Sequence, residues 1–233
     1  MLLDDCQQLS TLAKSVTDLR SNVDELNNFK TRQAEIEQIV RELKPLAEAL
    51  QAFKEKGIYG FTLLQEVENF LAQVIEVEKQ FKTEHKWLLG AKKIKPLEDK
   101  SKSLRETIEK QLRQQWITYR NSHVPAISND FLSVLAKIPT FSQTVTAVRS
   151  LSSQIQVIDY PKDRDQFDKV EKAISKLTTA WSSVNSDEVP PEVLKFLKEA
   201  ATINGAPMHL LNPTVQKWLD DKGIGSSFRI RLG

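Results

Sequence analysis

Apolar residues recur along the first quarter of the chain with the spacing of a coiled-coil seam. Successive members are separated alternately by three and four residues, so they fall at the a and d positions of a heptad. The first run is Leu9, Leu12, Val16, Leu19, Val23 and Leu26. This spacing predicts an amphipathic helix with one continuous apolar stripe, and we take that stripe as the candidate seam for a partner helix.

A second seam follows after the phase slips by one residue at Phe29. The same spacing of three and four residues resumes with Ile36, Ile39, Leu43, Leu46, Leu50 and Phe53. Pro45 lies between two seam positions and predicts a kink or a restart, because proline lacks the N–H that a helix interior uses. Gly57, directly after Lys56, predicts the end of this segment at a C-cap glycine.

The next two segments are also predicted to be long helices. Thr62 with Gln65 three residues later has the pattern of a capping box, and we expect the second helix to end near Gly90. Its apolar positions are Leu64, Val67, Leu71, Val74, Phe81 and Leu88. A third helix is expected from about Pro96. If the first helix packs antiparallel to the second and third, its acidic flank could face their basic flank.

Shorter helices are predicted in the rest of the chain. Ser128 begins a run of capping residues, Phe167 begins another series spaced by three and four residues, and Asn212-Pro213 predicts an N-cap followed by an N1 proline. Pro207–Leu211 is expected to be extended. The alternation of polar and apolar residues over Ser227–Leu232 predicts a strand that pairs with it.

The predicted fold class is therefore all-α. We expect an elongated antiparallel helical hairpin or coiled-coil arm over residues 1–121 and a bundle of short helices over 122–185. Residues 186–233 are expected to form a small helix-strand-helix-strand module with one short hairpin. The chain has only seven glycines in 233 residues, and none between Ala91 and Asn204. Sheet folds and glycine-rich phosphate loops are disfavoured by this distribution.

Composition favours an intracellular protein. Cys6 is the single cysteine, which excludes an internal disulfide and fits a reducing compartment. The first residues lack the basic and apolar regions of a signal peptide, and no apolar run is long enough to span a membrane. We therefore expect a cytoplasmic location without membrane association.

Residues for catalysis do not converge in the sequence. The three histidines, His85, His123 and His209, stand apart from one another and from Cys6, and no phosphate-binding glycine motif is present. The acidic residues near Asp163 are better explained by a helix start, where they complement the helix dipole. We predict no catalytic, cofactor-binding or metal-binding residues, no cofactor, no small-molecule substrate and no enzymatic activity.

Charge is distributed unevenly although the net charge is only +2. Residues 1–81 carry 9 basic and 14 acidic side chains, whereas residues 82–120 carry 11 basic and 5 acidic ones. The candidate nucleic-acid contacts in the basic region are Lys86, Lys92, Lys93, Lys95, Lys100 and Lys102. Trp87, Trp116 and Tyr119 lie nearby and could stack on bases, although all three also fit the apolar face of a helix. In an alternative that needs no ligand, the basic flank faces the acidic first helix.

Two hypotheses of function follow from these patterns. The first is a non-catalytic interaction or scaffold subunit whose coiled-coil helices self-associate or dock onto a larger protein complex. The alternative is a nucleic-acid-binding accessory subunit of a prokaryotic DNA-processing or defence-type complex, which uses the lysine-rich region 86–102. In the sequence alone, closure of the seams within one chain and closure between chains remain equal alternatives.

Overall fold

The computed structural model describes residues 2–90, 92–184, 189–202 and 204–225, with side chains described from residue 11 onward. Within these residues every regular element is helical and no strand occurs, which confirms the all-α prediction. The α-helices are α1 (Leu2–Glu55), α2 (Leu64–Thr83), α3 (Lys95–His123), α4 (Asn129–Leu135), α5 (Ser142–Gln156), α6 (Arg164–Val184), α7 (Pro191–Ala200) and α8 (Pro213–Asp221). Short 3-10 helices cover His85–Leu89, Pro139–Phe141 and Met208–Leu210.

The chain folds as two compact units, residues 1–114 and residues 115–233. Helix α3 supplies its first part to unit 1 and its last residues, from Gln115, to unit 2. The finer division into segments 1–121, 122–185 and 186–233 remains a prediction.

Helix α1 runs without interruption through Pro45. Its 54 residues correspond to a length of about 81 Å at 1.5 Å per residue. The predicted restart at Pro45 is therefore wrong: one missing N–H removes one hydrogen bond, and the packing of the flanking residues Leu46 and Ala49, both buried, maintains the helix. The helix ends at Glu55, and the predicted C-cap glycine Gly57 follows it with a φ of 77°, in the left-handed region.

The end of α1 is a Schellman motif. The N–H of Gly57 donates to the carbonyl of Lys54 at 3.0 Å, and the N–H of Ile58 donates to the carbonyl of Phe53 at 3.0 Å. These two bonds satisfy carbonyls that the helix end would leave without a partner, and the geometry requires a left-handed residue at position 57.

Unit 1 is built on three helices that run up, down and up. Phe61, just before α2, packs edge-to-face on Phe53 at the end of α1, with ring centroids 5.9 Å apart. Lys86, just after α2, pairs with Glu25 at 3.0 Å, so α2 runs antiparallel to α1. Arg105 of α3 pairs with Glu42 of α1. Because Arg105 follows Lys86 in the sequence and Glu42 follows Glu25, α3 runs parallel to α1. The antiparallel arrangement considered for both helices therefore occurs for α2 and not for α3, because a short turn after α2 reverses the chain again.

The core of unit 1 lies between these helices. One cluster of its buried residues comes from all three helices and the connecting turn: Ile39, Val77, Leu88, Ile94 and Leu97. Partly buried residues packed against them are Phe29, Ile36, Leu43, Phe70 and Trp87. The second seam of α1 is thus closed within the chain.

The ends of α2 differ from those predicted. The helix begins at Leu64, and its N-cap residue Leu63 makes no side-chain capping bond. Thr62 pairs with Gln111 of α3 instead: its N–H donates to Gln111 Oε1 at 2.8 Å, and Gln111 Nε2 donates to the Thr62 carbonyl at 3.1 Å. The helix ends at Thr83, where Glu84 becomes extended, so the predicted end near Gly90 is also wrong.

Unit 2 packs the short helices around a separate core. Trp116 is fully buried, and its indole N–H donates to the carbonyl of Ile158 at 2.9 Å. The predicted caps are confirmed: Ser128 accepts from the N–H of Phe131, and Asn212 accepts from the N–H of Val215. The predicted series on α6 also faces the core, with Phe167, Val170, Ile174, Leu177 and Val184 buried.

The predicted extended segment Pro207–Leu211 is a 3-10 helix over Met208–Leu210. The N–H groups of Leu210 and Leu211 donate to the carbonyls of Pro207 and Met208, both at 3.0 Å. These local bonds use the groups that a strand would offer to a neighbour. Its predicted partner strand, Ser227–Leu232, lies outside the described residues.

Candidate interaction surface

The predicted seam on the N-terminal half of α1 is exposed to solvent. The exposed fractions are 61% for Leu12, 57% for Val16, 64% for Leu19, 56% for Val23 and 54% for Leu26. The side chain of Leu9, the first residue of the seam, lies outside the described ones. Five apolar side chains in one line on one helix are far more than the scattered exposed apolar residues normal for a protein surface.

The exposure follows from where the neighbours of α1 begin. Every residue from 11 to 24 is exposed, and Glu25 is the first that is half-buried. Glu25 is also where Lys86 reaches α1, with Nζ 3.0 Å from the carboxylate. Among the described side chains of α1, the rest of unit 1 therefore covers only those from Glu25 onward.

The phase slip at Phe29 separates the covered stripe from the exposed one. In the first phase the next a position would be Lys30, whereas in the second phase it is Phe29. One residue corresponds to a rotation of about 100° around a helix. The stripe over 12–26 therefore faces a different side of α1 from the stripe over 29–53, which packs into the core.

An apolar groove between α1 and α2 lies beside the end of this stripe. Its volume is about 510 Å³. The lining residues are Phe29, Gln33, Ile36, Glu37, Val74, Val77, Glu78, Phe81, Leu88 and Leu97. Phe81 is 36% exposed here, and Leu71 and Ile75 on α2 are 50% and 62% exposed. The groove is not among the features predicted from the sequence, although the phase slip at Phe29 is a signal of it.

Two of the six candidate lysines are held by acidic neighbours. Lys86 pairs with Glu25, as described above. Lys95 lies 3.1 Å from Asp99 and 3.6 Å from Glu98. Its hydrogen bond and charge interaction with Asp99 raise the pKa of the Lys95 ammonium above its ordinary value. Together with Glu42–Arg105, the Glu25–Lys86 pair shows basic residues after α2 facing the acidic first helix.

The other four lysines are less engaged. Lys93 lies over the ring of Trp87, 5.2 Å from its centroid. Lys92, Lys100 and Lys102 are exposed and have no acidic partner within the described part of the chain. The candidate lysines of α3 do not share one face, because Lys100 lies about 140° around the helix from Lys95 and about 160° from Lys102. Lys102, in contrast, shares with Lys95 a groove against α1 that also contains Glu35 and Glu42.

The aromatic residues considered for base stacking have structural partners. Trp116 is in the core of unit 2, and the Tyr119 hydroxyl donates to Glu171 at 2.9 Å. Trp87 is partly buried against the core of unit 1. The interpretation of these residues as packing residues is confirmed for Trp116.

Two of the three histidines pack against aromatic rings. His85 packs against the Phe81 ring with centroids 4.9 Å apart, and His123 stacks on Tyr119 at 4.0 Å. No group of three or more His, Cys, Asp or Glu side chains with metal-binding geometry occurs in the described part of the chain. Nor does any helix described there combine the length and the apolar character needed to cross a bilayer.

Comparison with protein-family models, with curated proteins and with solved structures gave no significant match for this chain.

Proposed function

We propose that this protein is a non-catalytic subunit that enters a protein assembly through the exposed stripe of α1. The observation that supports the proposal is the exposure of Leu12, Val16, Leu19, Val23 and Leu26, each more than half in solvent. A continuous line of apolar side chains at a and d positions is stabilised when a second helix packs over it and removes it from water. The stripe would then form a coiled-coil arm, either with itself or with a larger partner.

The remaining parts of the chain take secondary roles in this proposal. The core of unit 1 holds α1 from Phe29 onward, so that the arm starts from a fixed base. The predicted C-terminal module over residues 186–233, with its short hairpin, would supply a second contact. We place the assembly in the cytoplasm, where a single cysteine remains reduced.

A charge placed in the stripe tests the proposal. The full chain, tagged at its C-terminus, is recovered from the cells in which it occurs, and the mass of the recovered assembly is measured. Leu19→Glu is expected to abolish assembly, because it places a carboxylate in the interface. Ser21→Glu is the matched control, since Ser21 is exposed two residues away on the opposite side of the helix. Identical assemblies for wild type and Leu19→Glu would contradict the proposal.

Nucleic-acid binding is the second candidate function. It is favoured by Lys92, Lys100 and Lys102, which are exposed and lack acidic partners among the described residues. Phosphate contacts of this kind weaken steeply with salt. The triple variant Lys92→Glu, Lys100→Glu and Lys102→Glu should lose salt-dependent binding to duplex or single-stranded DNA. The triple variant Lys44→Glu, Lys54→Glu and Lys79→Glu, at exposed positions of α1 and α2, carries the same charge change as a control. Equal binding by both triple variants would contradict this function.

A further inference from the structure

We infer that the occupant of the exposed stripe is the same stripe of a second copy, in a parallel two-stranded coiled coil over residues 12–26. This inference rests on the proposed function and adds to it the identity and the direction of the partner helix.

The residue types at a and d are those of a parallel pair. Val16 and Val23 occupy the a positions, whereas Leu12, Leu19 and Leu26 occupy the d positions. In a parallel two-stranded coiled coil, like positions pack against each other. β-Branched side chains fit the geometry of the a layer and leucine fits that of the d layer. An antiparallel pair would place each valine against a leucine and would lose this match.

The positions beside the seam are almost free of charge. The e positions are Ala13, Arg20 and Asn27, and the g positions are Ser15 and Asn22. In a parallel pair in register, Arg20 faces Ser15 of the second copy, so two copies meet without like-charge repulsion. A partner of different sequence is usually selected by complementary charges at e and g, and this stripe carries only one charge there.

The available area is sufficient for a specific interface. Leucine and valine side chains that are exposed by 54–64% each offer roughly 100 Å² of apolar surface to a partner helix. Five of them on each of two copies amount to about 1,000 Å², which is the minimum expected of a biological interface and is typical of a weak, reversible one.

Access to the stripe is open. Residues 11–24 are exposed on every side of α1. The stripe also lies about 100° around the helix from the face that packs into the core of unit 1. A second helix can therefore approach along the stripe without displacing the Glu25–Lys86 pair or the residues around Phe29.

Mass as a function of concentration tests the identity of the partner. The purified full chain is studied by light scattering or sedimentation from about 1 to 100 µM, a range suited to micromolar dissociation constants. The expected species has twice the 26.6 kDa mass of one chain. Leu19→Glu should weaken dimerisation by about 100-fold or more, whereas Ser21→Glu should leave it unchanged. Circular dichroism of both variants confirms that α1 remains helical.

Disulfide crosslinking tests the direction. In a Cys6→Ser background, Leu12→Cys and Leu26→Cys are made separately in the full chain. A parallel pair in register brings each new thiol next to its own copy, so each variant should form a covalent dimer on oxidation. An antiparallel pair would leave both uncrosslinked and would crosslink a mixture of Leu12→Cys with Val23→Cys. That second pattern would overturn the inference.

The outcomes separate this inference from the proposed function. A wild-type chain that stays monomeric over the whole range, or forms trimers, overturns the two-stranded self-pairing. If such a monomer nevertheless enters a complex in its cells that Leu19→Glu cannot enter, the proposed function stands with a different partner. If wild type and Leu19→Glu also form identical assemblies in cells, both the inference and the proposed function are contradicted.

Discussion

Leu19 and Leu46 occupy the same heptad position of the same helix, yet Leu19 is 64% exposed and Leu46 is 5% exposed. Both follow a seam residue by three positions and precede the next by four. Leu46 packs inside unit 1, whereas Leu19 lies on the part of α1 that the unit does not cover. The heptad pattern therefore serves two different purposes on one helix.

This pair gives the first prediction. Leu46→Ala should lower the free energy of unfolding by about 2–5 kcal/mol, because it leaves a cavity in a packed core. Leu19→Ala, measured at a protein concentration low enough to exclude association, should change it by less than about 0.5 kcal/mol. Urea unfolding followed by circular dichroism makes the comparison. Equal losses for the two variants would show that the stripe at Leu19 is covered within the chain.

Trp116 gives a prediction for unit 2. Trp116→Phe removes the donor to the Ile158 carbonyl and leaves a small cavity, and we expect a loss of about 1–3 kcal/mol. Trp116→Ala should cost about 3–5 kcal/mol. The control is Ile117→Ala, since Ile117 is 41% exposed on the same turn of α3. A Trp116→Phe variant as stable as wild type would contradict a structural role for the indole hydrogen bond.

The ion pair between Glu42 and Arg105 gives a prediction about salt. Both side chains are about one-third exposed, at 35% and 32%, so solvent screens their attraction. A double-mutant cycle with Glu42→Gln and Arg105→Gln should give a coupling energy of about 0.2–1 kcal/mol. The coupling should fall as the ionic strength rises. A coupling that does not depend on salt would mean that the pair acts through packing instead of charge.

Gly57 gives a prediction about backbone strain. A Cβ added there would contact nothing within 4 Å, and φ is +77°, so any loss comes from conformation alone. Gly57→Ala should cost about 1–2 kcal/mol. Gly57→Asn should cost less, because asparagine tolerates the left-handed region. Thermal unfolding of both variants checks the order, and equal stability of Gly57→Ala and wild type would contradict the Schellman geometry.

Local signals in the sequence predict the structure best. The capping roles of Ser128, Asn212 and Gly57 depend on bonds within a few residues, and all three were predicted correctly. The prediction of a capping box at Thr62 is wrong because Gln111, far away in sequence, binds the backbone N–H and the side-chain hydroxyl of Thr62 that the box would use. The prediction of an extended segment over Pro207–Leu211 is wrong because its backbone groups form hydrogen bonds with one another across three residues.

The sequence by itself determined that the protein is helical and where the apolar stripes run, because helical periodicity is a property of neighbouring residues. It also contained the phase slip at Phe29. Only the tertiary structure decided which stripe is covered, since that depends on where α2 ends and α3 begins beside α1. Lys86 meets α1 at Glu25, so the stripe from Leu12 to Leu26 stays open while the stripe from Phe29 to Phe53 becomes core. The same packing, through Lys86 and Arg105, directs part of the basic surface onto the acidic first helix.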